Sequence, residues 1–205
     1  MRQLLRTLLA ASLIVAAVPL SAQVEKRTAE QIRASIEAHQ ADFDYLLGDW
    51  EFTAVSQQYG KFRGYWSAVR LGDGPQILDE YRVVGDKGET YYVTRTLRAY
   101  NAVRDQWELV STEQGGGLQN VGTGHREGTE MRIEQTFGSG TATPSILRIR
   151  YYNIQPGQFS WTADRSADGG KSWVANFQQI EARRIGPPRS LDPLTHPKKL
   201  ATPSP

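Results

Sequence analysis

The chain has 205 residues, with 24 Lys and Arg against 22 Asp and Glu, five Trp, nine Tyr and no Cys. The excess of two positive charges equals Arg2 and Arg6, which face no acid in the first 22 residues, so the rest of the chain is neutral. A neutral chain without a basic run has no electrostatic footprint for nucleic acid, and a trimmed length near one domain can bury about 70% of its unfolded surface without crosslinks.

Residues 1–22 carry Arg2 and Arg6, then an apolar run from Leu8 to Leu20, then Leu20-Ser21-Ala22 with small residues ahead of Gln23. This three-part pattern predicts a cleaved secretory signal and a periplasmic or secreted product. The apolar run, about 15 to 18 residues, lies at or below the length needed to span a bilayer, so no membrane span is expected after cleavage. No Cys stands near the junction to carry a lipid. In an oxidising compartment, a chain without Cys must rely on its core alone.

Thr28-Ala29-Glu30-Gln31 has the form of a capping box, and Ile32, Ile36, His39 and Phe43 follow at helical spacing, which predicts one amphipathic helix over 28–41. From 42 to 185 the texture changes to short aromatic and β-branched runs separated by Gly, Asp and Pro. Ten strands are predicted: 49–57, 61–71, 76–84, 89–100, 106–113, 117–125, 129–137, 145–154, 158–164 and 173–184. Short links without an intervening helix mean an antiparallel meander, and ten twisted strands close or split rather than stay open. The expected fold is therefore mainly β, a closed antiparallel up-and-down barrel of about 8–10 strands with one short N-terminal helix. Residues 186–205 hold six of the ten prolines and are expected to form an extended, disordered tail that cannot continue the sheet.

The opening Phe43-Asp44-Tyr45-Leu46-Leu47-Gly48-Asp49-Trp50-Glu51-Phe52 resembles the entry strand of a group of uncharacterised, mostly exported bacterial proteins. The closing Ser166-Ala167-Asp168-Gly169-Gly170-Lys171-Ser172-Trp173, with Phe177 and Glu181-Ala182-Arg183-Arg184, resembles the final hairpin of the same group. That group resembles calycin-like barrels of the lipocalin and fatty-acid-binding type, and the likeness covers about 42–185. The resemblance implies that Gly48 and Trp50 plug one barrel end, with Arg183 or Arg184 as the stacking cation and Arg183 the first choice. It brings no activity with it. A neighbouring group of haem-binding barrels has a similar Leu-Gly-x-Trp entry but needs a late proximal His, and the 173–184 strand has none. No cofactor is expected.

Other motifs have structural readings. Ser166-x-Asp168-x-Gly170-x-Ser172-Trp173 matches the Asp-box spacing of sialidase propellers, but it occurs once and without a 40 to 50 residue repeat, which makes it a stapled hairpin turn. His39, His125 and His196 have no ligand spacing, so no metal site is expected. Ser139 lacks a nucleophile motif, and Gly115-Gly116-Gly117 leads into no helix that could cradle a phosphate.

Three readings of function remain. In the first, the barrel binds a small apolar or amphipathic molecule, with walls from Tyr81, Tyr152, Trp66 and Trp161 and a ligand carboxylate paired by Arg148 or Arg150. In the second, the barrel is filled by its own side chains and acts as an interaction domain. In the third, an interior Glu, drawn from Glu80, Glu108, Glu134 and Glu181, serves as general acid or base. Binding ranks first.

Overall fold

The computed structural model describes residues 26–72 and 74–191, so the expected signal over 1–22 and the tail beyond Leu191 lie outside the described residues. Helix α1 spans Ala29–His39, and Thr28 caps it: its side chain accepts from Gln31 N while the Gln31 side chain accepts from Thr28 N. That reciprocal pair satisfies two orphan donors of the first turn. A single 3-10 turn, Asp44–Leu46, then delivers the chain to the sheet. No described helix is long and apolar enough to cross a membrane.

The strands are β1 (Gly48–Ser56), β2 (Gly60–Leu71), β3 (Gln76–Val84), β4 (Thr90–Asn101), β5 (Gln106–Glu113), β6 (Gly117–Glu127), β7 (Glu130–Phe137), β8 (Ser145–Gln155), β9 (Gln158–Ser166), β10 (Val174–Gly186) and β11 (Ser190–Leu191). Each of β1 to β10 pairs antiparallel with its sequence neighbours, and β1 also pairs with β10, which closes a ten-strand barrel. Closure leaves no free edge within the ring. The chain does not leave the sheet at 186: β11 runs parallel to β2, with Ser190 opposite Arg70 and Leu191 opposite Leu71. It uses the edge of β2 that β1 vacates after Gly48 meets Ala68.

Register fixes which side chains fill the barrel, because residues opposite one another in a ladder share a face. At the end where α1 sits, the inward residues Trp50, Ala68, Ile77, Trp107, Met131 and Phe159 are buried completely or nearly so. At the far end the inward residues Phe62, Val83, Tyr92, Asn120, Phe137 and Gln178 keep partial solvent contact. The end at α1 is sealed, and the rim of the far end is only partly buried.

Candidate functional site

The seal is built from the segment that joins α1 to β1. Phe43 packs edge-on against Trp107 at 4.9 Å, and Trp50 meets Phe159 at 4.8 Å. Trp50 Nε1 donates to Leu46 O at 2.8 Å, which ties the 3-10 turn to the strand. Arg184, opposite Trp50 in the ladder, places its guanidinium 4.1 Å from the indole centroid and donates to Leu47 O, Tyr45 O and Pro156 O. Arg184 therefore stands where Arg183 was expected; Arg183 points outward and pairs with Glu51. Gly48 has φ +103, and a Cβ there would lie 2.6 Å from Arg184 Nη1, so both its conformation and its lack of a side chain are required.

Directly on this seal lies a polar cluster inside an aromatic cage. Asp79 on β3 and Arg98 on β4 form a buried ion pair, Nε to Oδ2 at 2.6 Å, with both side chains under 5% exposed. Trp66 Nε1 donates to the other Asp79 oxygen at 2.8 Å, and Arg98 Nη2 donates to Tyr151 Oη at 3.3 Å. The guanidinium also stacks over Phe43, 4.8 Å from its centroid. Its remaining nitrogen, Nη1, is buried without a partner, as are Tyr45 Oη and Tyr81 Oη. Buried donors are nearly always paired, because an unpaired one keeps its full desolvation cost. Burial pushes the Tyr45 and Tyr81 phenols well up and Tyr151 to about 12, the last opposed by the nearby Arg98 charge. Arg98 itself is raised despite its burial, because Asp79 and then Tyr151 outweigh desolvation. All these tyrosines are neutral donors at physiological pH.

Of the residues expected to line a ligand site, Trp66, Tyr81 and Trp161 face the interior. Arg148, Arg150 and Tyr152 do not. Arg148 lies on the outer wall, paired with Glu134 and stacked 4.0 Å over Trp173, and Arg150 lies over Tyr152. Neither arginine is available to a carboxylate inside the barrel, and Arg98 is the interior cation that the sequence reading missed. Glu80, Glu108, Glu134 and Glu181 also face outward; Glu80 holds Arg82 and Arg95, and Glu181 accepts from Ser160. Asp79 is a buried strand carboxylate of the interior, both its oxygens engaged by Trp66 and Arg98, and Glu113, opposite the inward Thr94, stands on the same face at the half-buried far rim. No group of His, Asp or Glu with metal-ligand geometry occurs among the described residues.

The stapled turn has the expected geometry. Asp168 accepts from Lys171 N, Ser172 N and Ser172 Oγ, while Gly169 and Gly170 adopt φ of +73 and +89. Trp173 Nε1 donates back to Gly170 O. Nothing in this network is aimed at a ligand.

Neither a protein-family model nor a curated protein matches the chain. Among solved structures the barrel is similar to the S-type phycobiliprotein lyase of Guillardia theta, at 12% identity and a TM-score of 0.48, over 77% of this chain and 96% of that one.

Proposed function

We propose that the barrel holds one small amphipathic molecule, entering at the end opposite α1 and resting its oxygen-bearing end on Arg98 Nη1 and Tyr45 Oη. The observation that carries this reading is the pair of buried, unpartnered donors at the floor of a barrel whose far rim keeps partial solvent contact. Asp79 already neutralises Arg98, so the floor suits a carbonyl, hydroxyl or ether oxygen as well as a carboxylate. Above the floor, Phe52 and Tyr81 stack at 4.8 Å, and with Trp66 and Trp161 they offer an apolar wall for the body of the ligand.

Thr96 faces inward opposite Asp79 and Ser111 and keeps partial exposure, so a larger side chain there would stand in the path from the far rim to the floor. Titration with anilinonaphthalene sulfonate and with a long-chain alcohol, followed by tryptophan fluorescence, is expected to saturate at one molecule per barrel. Thr96→Trp should weaken that binding at least tenfold with circular dichroism unchanged, while Arg148→Ala on the outer wall should leave it intact. Absence of saturable binding, or equal binding by Thr96→Trp, overturns the reading.

A further inference from the structure

Three neighbouring strands turn polar residues inward and apolar residues outward at the same level of the barrel. Thr96 on β4 stands opposite Ser111 on β5, and Ser111 opposite Asn120 on β6, so the three form one inward row beside Asp79, which Thr96 also faces. Their chain neighbours Leu97, Val110 and Val121 form the matching outward row, with Val110 40% and Val121 41% exposed. Reversing the faces at this level would bury the apolar row and solvate the polar one, which hydrophobic burial favours. Folding stability gives no reason for the inversion, and such breaks of a local rule concentrate at functional sites.

The inversion is confined to one side of the interior. Thr94 on β4 and Gln135 on β7 extend the polar side, whereas Phe52, Ala54, Trp161, Ala163 and Ile180 of β1, β9 and β10 form the side across the ring from it. The two sides also differ in access: Thr96, Asn120 and Gln135 keep partial exposure inside the ring, while the five apolar side chains are each at most 8% exposed. Asn120 Oδ1 is buried without a partner, and an amide oxygen in that state needs a donor. Ser111 and Thr96 follow it across the strands at steps of about 5 Å. A molecule with a single polar end satisfies the floor and leaves this row unpaired. Hydroxyl groups spaced along one face of a ligand satisfy the row as well, because a hydroxyl donates to an amide oxygen and accepts from Ser or Thr.

We propose that the molecule held in the barrel is facially amphipathic, a rigid apolar body whose hydroxyl groups lie along one face and turn toward β4, β5 and β6. This rests on the internal site proposed above and adds the chemistry of the ligand's side to that of its end. Cholate and 5β-cholanate test it, since they share a fused-ring skeleton and a carboxylate end and differ in the hydroxyls that cholate carries on one face. Without a polar row the more apolar cholanate binds tighter. With it, tryptophan fluorescence at submicellar concentrations is expected to give cholate a dissociation constant at least tenfold lower, because a site built for hydroxyls rejects the analogue that lacks them. Thr96→Val with Asn120→Leu should bring the ratio to one or below, and Thr96→Val alone, nearly the same in shape, should cut it several-fold even where the double variant does not fold. Equal or tighter binding of cholanate by the wild-type barrel overturns the inference and leaves the internal site standing. So does a preference for cholate that survives these substitutions, or failure of both steroids to bind while a long-chain alcohol saturates. Failure of all three to bind overturns the internal site as well.

Discussion

Two adjacent arginines at the end of β10 differ in everything but identity. Arg184 lies over Trp50 and binds three backbone carbonyls, while Arg183 stands 75% exposed with Glu51 as its partner. A guanidinium bonded to carbonyls at a chain crossing leaves those acceptors and one indole face uncovered when removed, at about 2–4 kcal/mol; an exposed pair contributes roughly 0–1 kcal/mol. Arg184→Met should therefore lower the urea midpoint clearly, and Arg183→Met should barely move it. Equal losses, measured by equilibrium denaturation, contradict the assignment of the seal to Arg184. Alternation within β10 does separate the two, because Ile180, Ala182 and Arg184 share the inward face while Glu181 and Arg183 face outward, and both irregularities, Val174/Gln178 on β10 and Asp49/Trp50 on β1, fall outside that run.

At the level of elements, turn chemistry was the legible part. Strand limits follow from Gly, Pro and Asp positions, and the capping box at Thr28 sets the helix start. The interior was less legible on β3 and β4, where Leu78 and Leu97 face solvent and Asp79 and Arg98 face the core. On β4 a period-two pattern read by hydrophobicity points the strand the wrong way round, because Leu97 and Ala99 face outward while Thr94, Thr96 and Arg98 face inward; β3 still turns Ile77, Tyr81 and Val83 inward around Asp79. The turn from Ser166 to Trp173 gives a direct test of local chemistry. Hydrogen bonds from Ser172 Oγ and Ser172 N, then Ser166 Oγ and Lys171 N, hold the Asp168 carboxyl down at about 2. The unfolded chain protonates it near pH 4, so the carboxylate stabilises the turn fully above that pH and loses its effect as pH falls from about 4 to 2. Exchange protection of the Lys171 and Ser172 amides should decline over that window. Asp168→Ala should show low protection at all pH values; protection that persists in this variant shows that the glycines alone form the turn.

For the molecule as a whole, the barrel behaves as a container that keeps phenols neutral. Tyr45, Tyr81 and Tyr151 come from the 3-10 turn, β3 and β8, and burial raises all three, Tyr151 to about 12. In the unfolded chain each ionises near pH 10, so above that pH the native state binds more protons than the unfolded one, and stability falls as pH rises. The contribution is complete below pH 10 and decreases by about 1.4 kcal/mol per pH unit for each phenol until its folded value is reached. A fold with marginal total stability gives way before three such groups ionise in place. Their phenolate absorbance should therefore appear in one cooperative step together with loss of near-ultraviolet dichroism, and Tyr45→Phe should shallow the alkaline limb by one phenol's share. Gradual ionisation of all nine tyrosines near pH 10 with the dichroism intact would mean that water reaches the floor of the barrel freely, and the floor could then not retain the unpaired donors on which the proposed ligand recognition depends.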